Sequence, residues 1–205
     1  MTTAPDDPVA AELRSRGIAD VNSVLVLAPA FAGKRRAACS TLLTADSDRP
    51  VSVLAVTYRQ PDKWLAVWRE IDGTPPETTI IRVGEQDFGD TSVGSDSTGD
   101  VTIKHSSPDL TDLGIRLTQY LEANAGDGEI HLCFDSINHM LQYAEIKRVF
   151  QFLHTFIGRL NRADVHAHFH IDPSAQDQRS VNLVKELFDA IVEIDEDGEI
   201  TVRAR

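Results

Sequence analysis

Lysine is scarce in this chain: five residues of 205, against fifteen Arg, while Asp and Glu number 32 and the formal net charge is -12. A carboxylate-rich, lysine-poor surface suits concentrated salt, so the charge reads as a response to the solvent and not as a docking signal for a basic ligand. No basic cluster and no RNP-type aromatic motif is present, and salt erodes phosphate contacts, so nucleic acid is not an expected partner. Long apolar runs are also missing. None approaches the roughly 18 residues of a membrane span, and the first residues, MTTAPDDPVAAELRSRG, hold no signal core. A soluble, cytoplasmic protein with no membrane partner is expected. Cysteine is nearly absent. Cys39 and Cys133 are the only two, both in apolar-patterned stretches, and they read as buried reduced thiols, not as a disulfide or a metal site.

What is present is an alternation of buried strands and amphipathic helices. Residues 22–28 (NSVLVLA) and 51–58 (VSVLAVTY) are continuous apolar runs, as in strands covered on both faces. Residues 79–83, 101–104, 189–194 and 199–203 read as further strands, the last two joined by a tight turn as a C-terminal β-hairpin. Helices are predicted over 9–16, closed by Gly17, and over 34–43, with Ala38, Thr41 and Leu42 inward. Others follow Asp62, with Trp64, Leu65, Trp68 and Ile71 at helical spacing, and span 108–124, 145–161 and 180–188. Residues 1–8 read as a frayed tail, and 84–100 (GEQDFGDTSVGSDSTGD) as a long mobile loop with little to bury. The expectation is an α/β fold in three layers, a mostly parallel central sheet with helices on both faces, forming a single domain over 1–205.

The chemistry-bearing stretch is 129–172. The run EIHLCFD ends a buried strand in Asp135-Ser136, a helix crosses over, and VHAHFHID follows as a second strand. Ligands of open α/β sheets bind at the carboxyl ends of such strands. After the first buried strand comes Ala28-Pro-Ala-Phe-Ala-Gly33-Lys34-Arg35 and then a helix. A phosphate loop needs glycines so that backbone N–H groups can wrap the phosphates, a Lys for the outer phosphates and a Ser/Thr hydroxyl for Mg²⁺. Here Gly33 and Lys34 are kept, while Ala28 replaces the first Gly and Arg35 the hydroxyl. Arg35 either adds positive charge for an anion, stands in for the metal, or is a solvated first-turn residue.

Strand, AxxxxGKR, helix, VSVLAVTY, helix and the later FDS strand together resemble the RecA/KaiC-like P-loop ATPases. The stretches SPDLTDLGIRL, CFDSINHMLQYAEIKRVFQFLHTFIGRL and LFDAIVEI resemble a haloarchaeal branch of that superfamily, and the likeness covers roughly residues 22–194. The resemblance implies a RecA-like fold, with Asp135 as the Walker B aspartate that orders the Mg²⁺ water shell and Lys34 as the phosphate lysine. It also implies His170 or Asp172 near the sensor of the γ-phosphate. It places the strand bearing His170 between the loop strand and the Asp135 strand. Relatives carry water-activating glutamates after the second strand; this chain has Arg59 and Gln60, neither a carboxylate base. The reading is a degenerate domain with no catalytic residue, acting in regulation or assembly. It keeps a vestigial site at Gly33, Lys34, Arg35 and Asp135 for ATP, ADP or phosphate. The resemblance further implies a homo-oligomer with the site at the subunit border; an unidentified protein partner is a separate expectation. Two alternatives stay open: an active ATPase with an unorthodox Mg²⁺ shell, and a partner-binding adaptor with no nucleotide, its loop collapsed so that Phe31 fills the phosphate cavity.

His166, His168 and His170 alternate along one strand and share a face, as do His131 and Cys133 on the Asp135 strand. Zinc takes His and Cys ligands, but neighbours two apart on a strand lie about 7 Å apart. Packed histidines under a helix are expected, and no metal. His139 and His154 read as helix-surface residues without a role.

Overall fold

In a computed structural model the described residues are 8–18, 21–29, 32–43, 50–71, 77–85, 91–93, 100–126 and 128–204. The buried apolar runs become strands, and the described residues hold nine in all: β1 (Ser23–Leu27), β2 (Val51–Thr57), β3 (Glu77–Val83), β4 (Thr91–Val93), β5 (Asp100–Ser106), β6 (Glu129–Asp135), β7 (His166–Ile171), β8 (Ala190–Ile194) and β9 (Ile200–Ala204). They form one nine-stranded sheet in the order β4-β5-β3-β2-β6-β7-β1-β8-β9. The seven strands from β5 to β8 in that order pair in parallel, and only β4 on β5 and β9 on β8 are antiparallel. The α/β, mostly parallel sheet with a C-terminal hairpin is therefore as expected. The strand at 91–93 falls inside the stretch read as a mobile loop. Its neighbours 86–90 and 94–99, like the tail at 1–7, lie outside the described residues.

Helices cover both faces. On one side lie α1 (Pro8–Ser15), α2 (Lys34–Leu43) and α3 (Pro61–Ile71), packed on Val24, Val26, Val53, Ala55 and Cys133. On the other lie α4 (Leu110–Ala123), α5 (Ile137–Tyr143), α6 (Ile146–Arg162) and α7 (Gln178–Lys185), packed on Leu25, Leu54, Leu132, Phe134 and Phe169. Strand pleating explains the split: odd residues of β6 face α2, even ones face α6. The three- and four-residue spacing of α6 buries Val149, Leu153, Phe156, Ile157 and Leu160, each contributing about 1.5–3 kcal/mol of apolar burial. Asp109 caps α4 by accepting hydrogen bonds from the Thr111 and Asp112 amides, which stops the helix from running back into the strand. Those amide bonds hold its carboxyl below the usual carboxylate range. The helix read over 145–161 is α6, and the short α5 precedes it, separated where Ala144 and Glu145 are extended. Trp64 and Leu65 are buried under α3; the side chains of Trp68 and Ile71 lie outside the described residues.

Candidate functional site

The site lies where β1, β6 and β7 end together. β7 runs between the loop strand and the Asp135 strand, as the resemblance implies, with His170 in register with both Val26 and Asp135. Asp135 closes β6 and is 8% exposed. It is followed by a cis peptide bond to Ser136. α2 starts at Lys34 above this edge and lowers its second residue onto the carboxylate. Arg35 Nη2 donates to Asp135 Oδ1 at 2.5 Å, with both side chains nearly buried. From β2's end, Arg59 brings Nε to 3.8 Å from Oδ2 and is 43% exposed. Its backbone is turned there by the Arg59 amide donating to Thr57 Oγ1. One buried carboxylate therefore faces two guanidinium groups, and the cluster carries a net positive charge.

Lys34 goes elsewhere. Its stem crosses the β8–β9 turn, where a Cβ built on Gly198 would lie 3.3 Å from Lys34 Cδ. The first two residues of α2 diverge because successive helical positions are about 100° apart around the axis. Arg35 thus meets Asp135 while Lys34 covers the hairpin. The loop before α2 is partly closed on itself: the Ala32 amide donates to Pro29 O at 3.0 Å and the Arg35 amide to Ala32 O at 3.1 Å. Gly33 is exposed at the helix start. Ala30 and Phe31 lie outside the described residues, and with them the question of whether Phe31 fills the loop.

Of the two sensor candidates, Asp172 turns its carboxylate to its own 3-10 turn, accepting from the Ser174 amide and hydroxyl. Its backbone is gripped by the Asn138 side chain, which donates to Asp172 O and accepts from Asp172 N. His170 is 2% exposed beside Asp135. Burial, then the charge of Arg35, holds its imidazole well below the usual histidine range. Its ring stands edge-on to His168, 5.1 Å between centroids.

One neighbour read as a surface residue is part of this edge. His139, half-buried on α5, shares a 3.0 Å hydrogen bond with Ser136 Oγ and stacks on Tyr58, which also stacks with Tyr143. Burial lowers the His139 pKa, with Asp135 opposing and Arg59 and Arg35 adding to the shift. Burial raises the Tyr58 hydroxyl, with Tyr143 adding. The signal available in the sequence was spacing: His139 lies one helical turn after Ser136, on the same face.

Several solved structures share this architecture. A Pyrococcus horikoshii OT3 protein (PH0250) superposes with a TM-score of 0.58 at 14% identity, over 89% of this chain and 86% of that one. The type III secretion ATPase EscN of enteropathogenic E. coli gives 0.52 at 12% identity, over 86% of this chain and 43% of its own. A prototypical type III secretion ATPase of pathogenic bacteria gives 0.54 at 9% identity, over 89% and 55%. The chain thus spans about half the length of the two secretion ATPases. At these identities the likeness establishes the fold, a RecA-like sheet, and nothing finer. No curated protein matches the chain. Over residues 21–194 it matches the model of a family of unknown function, DUF7504, and it belongs to that family.

Proposed function

We propose that this is a non-hydrolysing RecA/KaiC-like domain with a degenerate phosphate loop, serving regulation or assembly through a site that takes an anion without Mg²⁺. The observation that carries this is the 2.5 Å bond from Arg35 to Asp135. Mg²⁺ seeks six oxygens in near-octahedral geometry. The carboxylate that would help to hold it is engaged by two guanidinium groups, and position 35 offers a cation in place of a hydroxyl. These residues do not fit a magnesium ion. Removing one partner of a nearly buried ion pair typically costs about 3–5 kcal/mol, so a metal that displaced Arg35 would have to repay a comparable loss. Arg59 and Gln60 supply no general base. Arg59, partly exposed, supplies positive charge for a phosphate group or a nucleotide at this edge, and the exposed Lys34 joins it when its flexible stem swings off the β8–β9 turn. The acidic, lysine-poor composition supports a halophilic, archaeal setting. The fold supports side-by-side self-association, which sedimentation velocity in high salt would measure.

Equilibrium titration of labelled ATP with and without Mg²⁺, followed by a phosphate-release assay in high salt, tests the reading. Binding that is unaffected by Mg²⁺, weakened severalfold by Lys34→Ala or Arg59→Ala, and not followed by phosphate release is expected. Mg²⁺-dependent turnover abolished by Lys34→Ala would establish the active ATPase in its place. No binding of ATP, ADP or phosphate under any condition would favour the adaptor.

A further inference from the structure

Below the Arg35–Asp135 pair lies a second row of side chains that the proposed function does not use. Arg35 and Cys39 are four residues apart on one face of α2, and Asp135 and Cys133 are two apart on one face of β6. The helix therefore brings Cys39 onto Cys133 as it brings Arg35 onto Asp135. β7 completes both rows, because His168 is in register with Cys133 and His170 with Asp135. Cys39 Sγ is 3.6 Å from Cys133 Sγ and 3.2 Å from His168 Nε2. One ligand atom from each of Cys39, Cys133, His168 and His170 lies within 4.8 Å of all the others. Cys133, His168 and His170 are 1%, 1% and 2% exposed. His170 Nδ1 is buried without a hydrogen-bond partner, an orphan that such a site would normally not tolerate.

We infer that Cys39, Cys133, His168 and His170 form a buried tetrahedral site for a thiolate-seeking divalent metal ion of the zinc class. Two thiolates and two imidazoles are a structural zinc donor set. With Zn–S near 2.3 Å and Zn–N near 2.0–2.1 Å, a tetrahedron has S···S edges of about 3.8 Å and S···N edges of about 3.5 Å. The 3.6 and 3.2 Å separations match these edges, while a disulfide would need about 2.05 Å. Two histidines of one strand lie too far apart to share an ion unaided, but here α2 and β6 supply the other two ligands and all four ligand atoms converge. Binding takes up M²⁺ and releases both thiol protons, leaving a neutral M(Cys)₂(His)₂ centre. Its place gives it a structural role, since it pins α2 to β6 and β7 one turn below Arg35 and so holds the guanidinium over Asp135.

The test uses full-length, tag-free protein, reduced and stripped with chelator, then titrated with Co²⁺. One equivalent should produce a sulfur-to-cobalt charge-transfer band together with the intense visible bands of tetrahedral cobalt. One equivalent of Zn²⁺ should bleach them, and the same ion should slow reaction of the thiols with a disulfide reagent at least tenfold. Glu129, His131 and His166 make a second, sulfur-free group at the far end of the same strands; metal there gives no charge transfer, so the band reports only the cysteine site. Cys39→Ser, at a half-buried position, and His170→Ala should weaken or abolish the band, while His131→Ala should keep it. No charge-transfer band from the folded wild type at tenfold excess Co²⁺ would overturn the inference. So would a band indifferent to Cys39→Ser, or a Cys39–Cys133 disulfide in the protein as purified.

Discussion

His131 shows how one buried side chain couples this fold to pH. It is fully buried under the end of α2, with Nδ1 3.1 Å from Leu43 O and Nε2 3.5 Å from Glu129, and its ring lies edge-on to His166. Burial, then His166, lowers its pKa; Glu129 and the Leu43 carbonyl oppose the shift without cancelling it. A histidine whose folded pKa lies below its unfolded value binds fewer protons when folded. Its effect is absent well above about 6.5 and grows as the unfolded chain takes up a proton below that pH. Stability should therefore fall between about pH 7.5 and 5.5, measured by urea denaturation with chelator present. His131→Gln should flatten part of that slope at some loss of stability at pH 7.5. An unchanged slope would show that His131 is not the group responsible. At this scale the sequence was informative about residue type and parity. It placed the histidines on one face, but it did not show that the His168 and His170 rings meet edge to face.

Elements in this molecule are positioned by a few backbone contacts that periodicity does not reveal. β6 begins beside the start of β2, where the Glu129 amide donates to Pro50 O at 2.9 Å. Gly128, with φ +151°, lets the chain pass, for a Cβ there would lie 2.3 Å from that same oxygen. The carbonyl cannot retreat without losing its bond to Glu129. Gly128→Ala should thus destabilise the protein by about 3 kcal/mol, read as a lower urea midpoint at unchanged slope. A loss below about 0.5 kcal/mol would mean that the β2–β6 entry is not fixed as described. A milder change is expected at the cap of α4, where Asp109→Ala removes the carboxylate oxygen that accepts from two amides and should cost about 1 kcal/mol. Gly17, at φ +68°, closes α1 as read from the sequence. The start of β6 was legible as a strand, but its clearance from Pro50, far away in sequence, was not.

The whole chain carries a formal charge of -12, which destabilises any compact state by self-repulsion. Raising ionic strength from about 0.1 to 1 M shortens the screening length from about 10 to 3 Å. The nearly buried Arg35–Asp135 pair is screened far less. Net stabilisation by salt should follow, with the thermal midpoint rising by about 4 °C or more, equivalent to about 2 kcal/mol for a chain of this size. A midpoint that stays level or falls in molar salt would place the acidic residues in attractive pairs and remove the solvent explanation for the composition.

Composition and periodicity determined the class of the fold, the burial of β1, β2 and β6, the long α6 and the carboxylate at the sheet's edge. These rest on local physics, since apolar area and hydrogen-bond geometry repeat every two or 3.6 residues whatever the partner strand. Only the tertiary structure decided which cation meets Asp135, and that Cys39 and Cys133 share a row with His168 and His170. Those outcomes depend on strand order and on the rotation of α2 about its axis, set by the packing of segments some hundred residues apart.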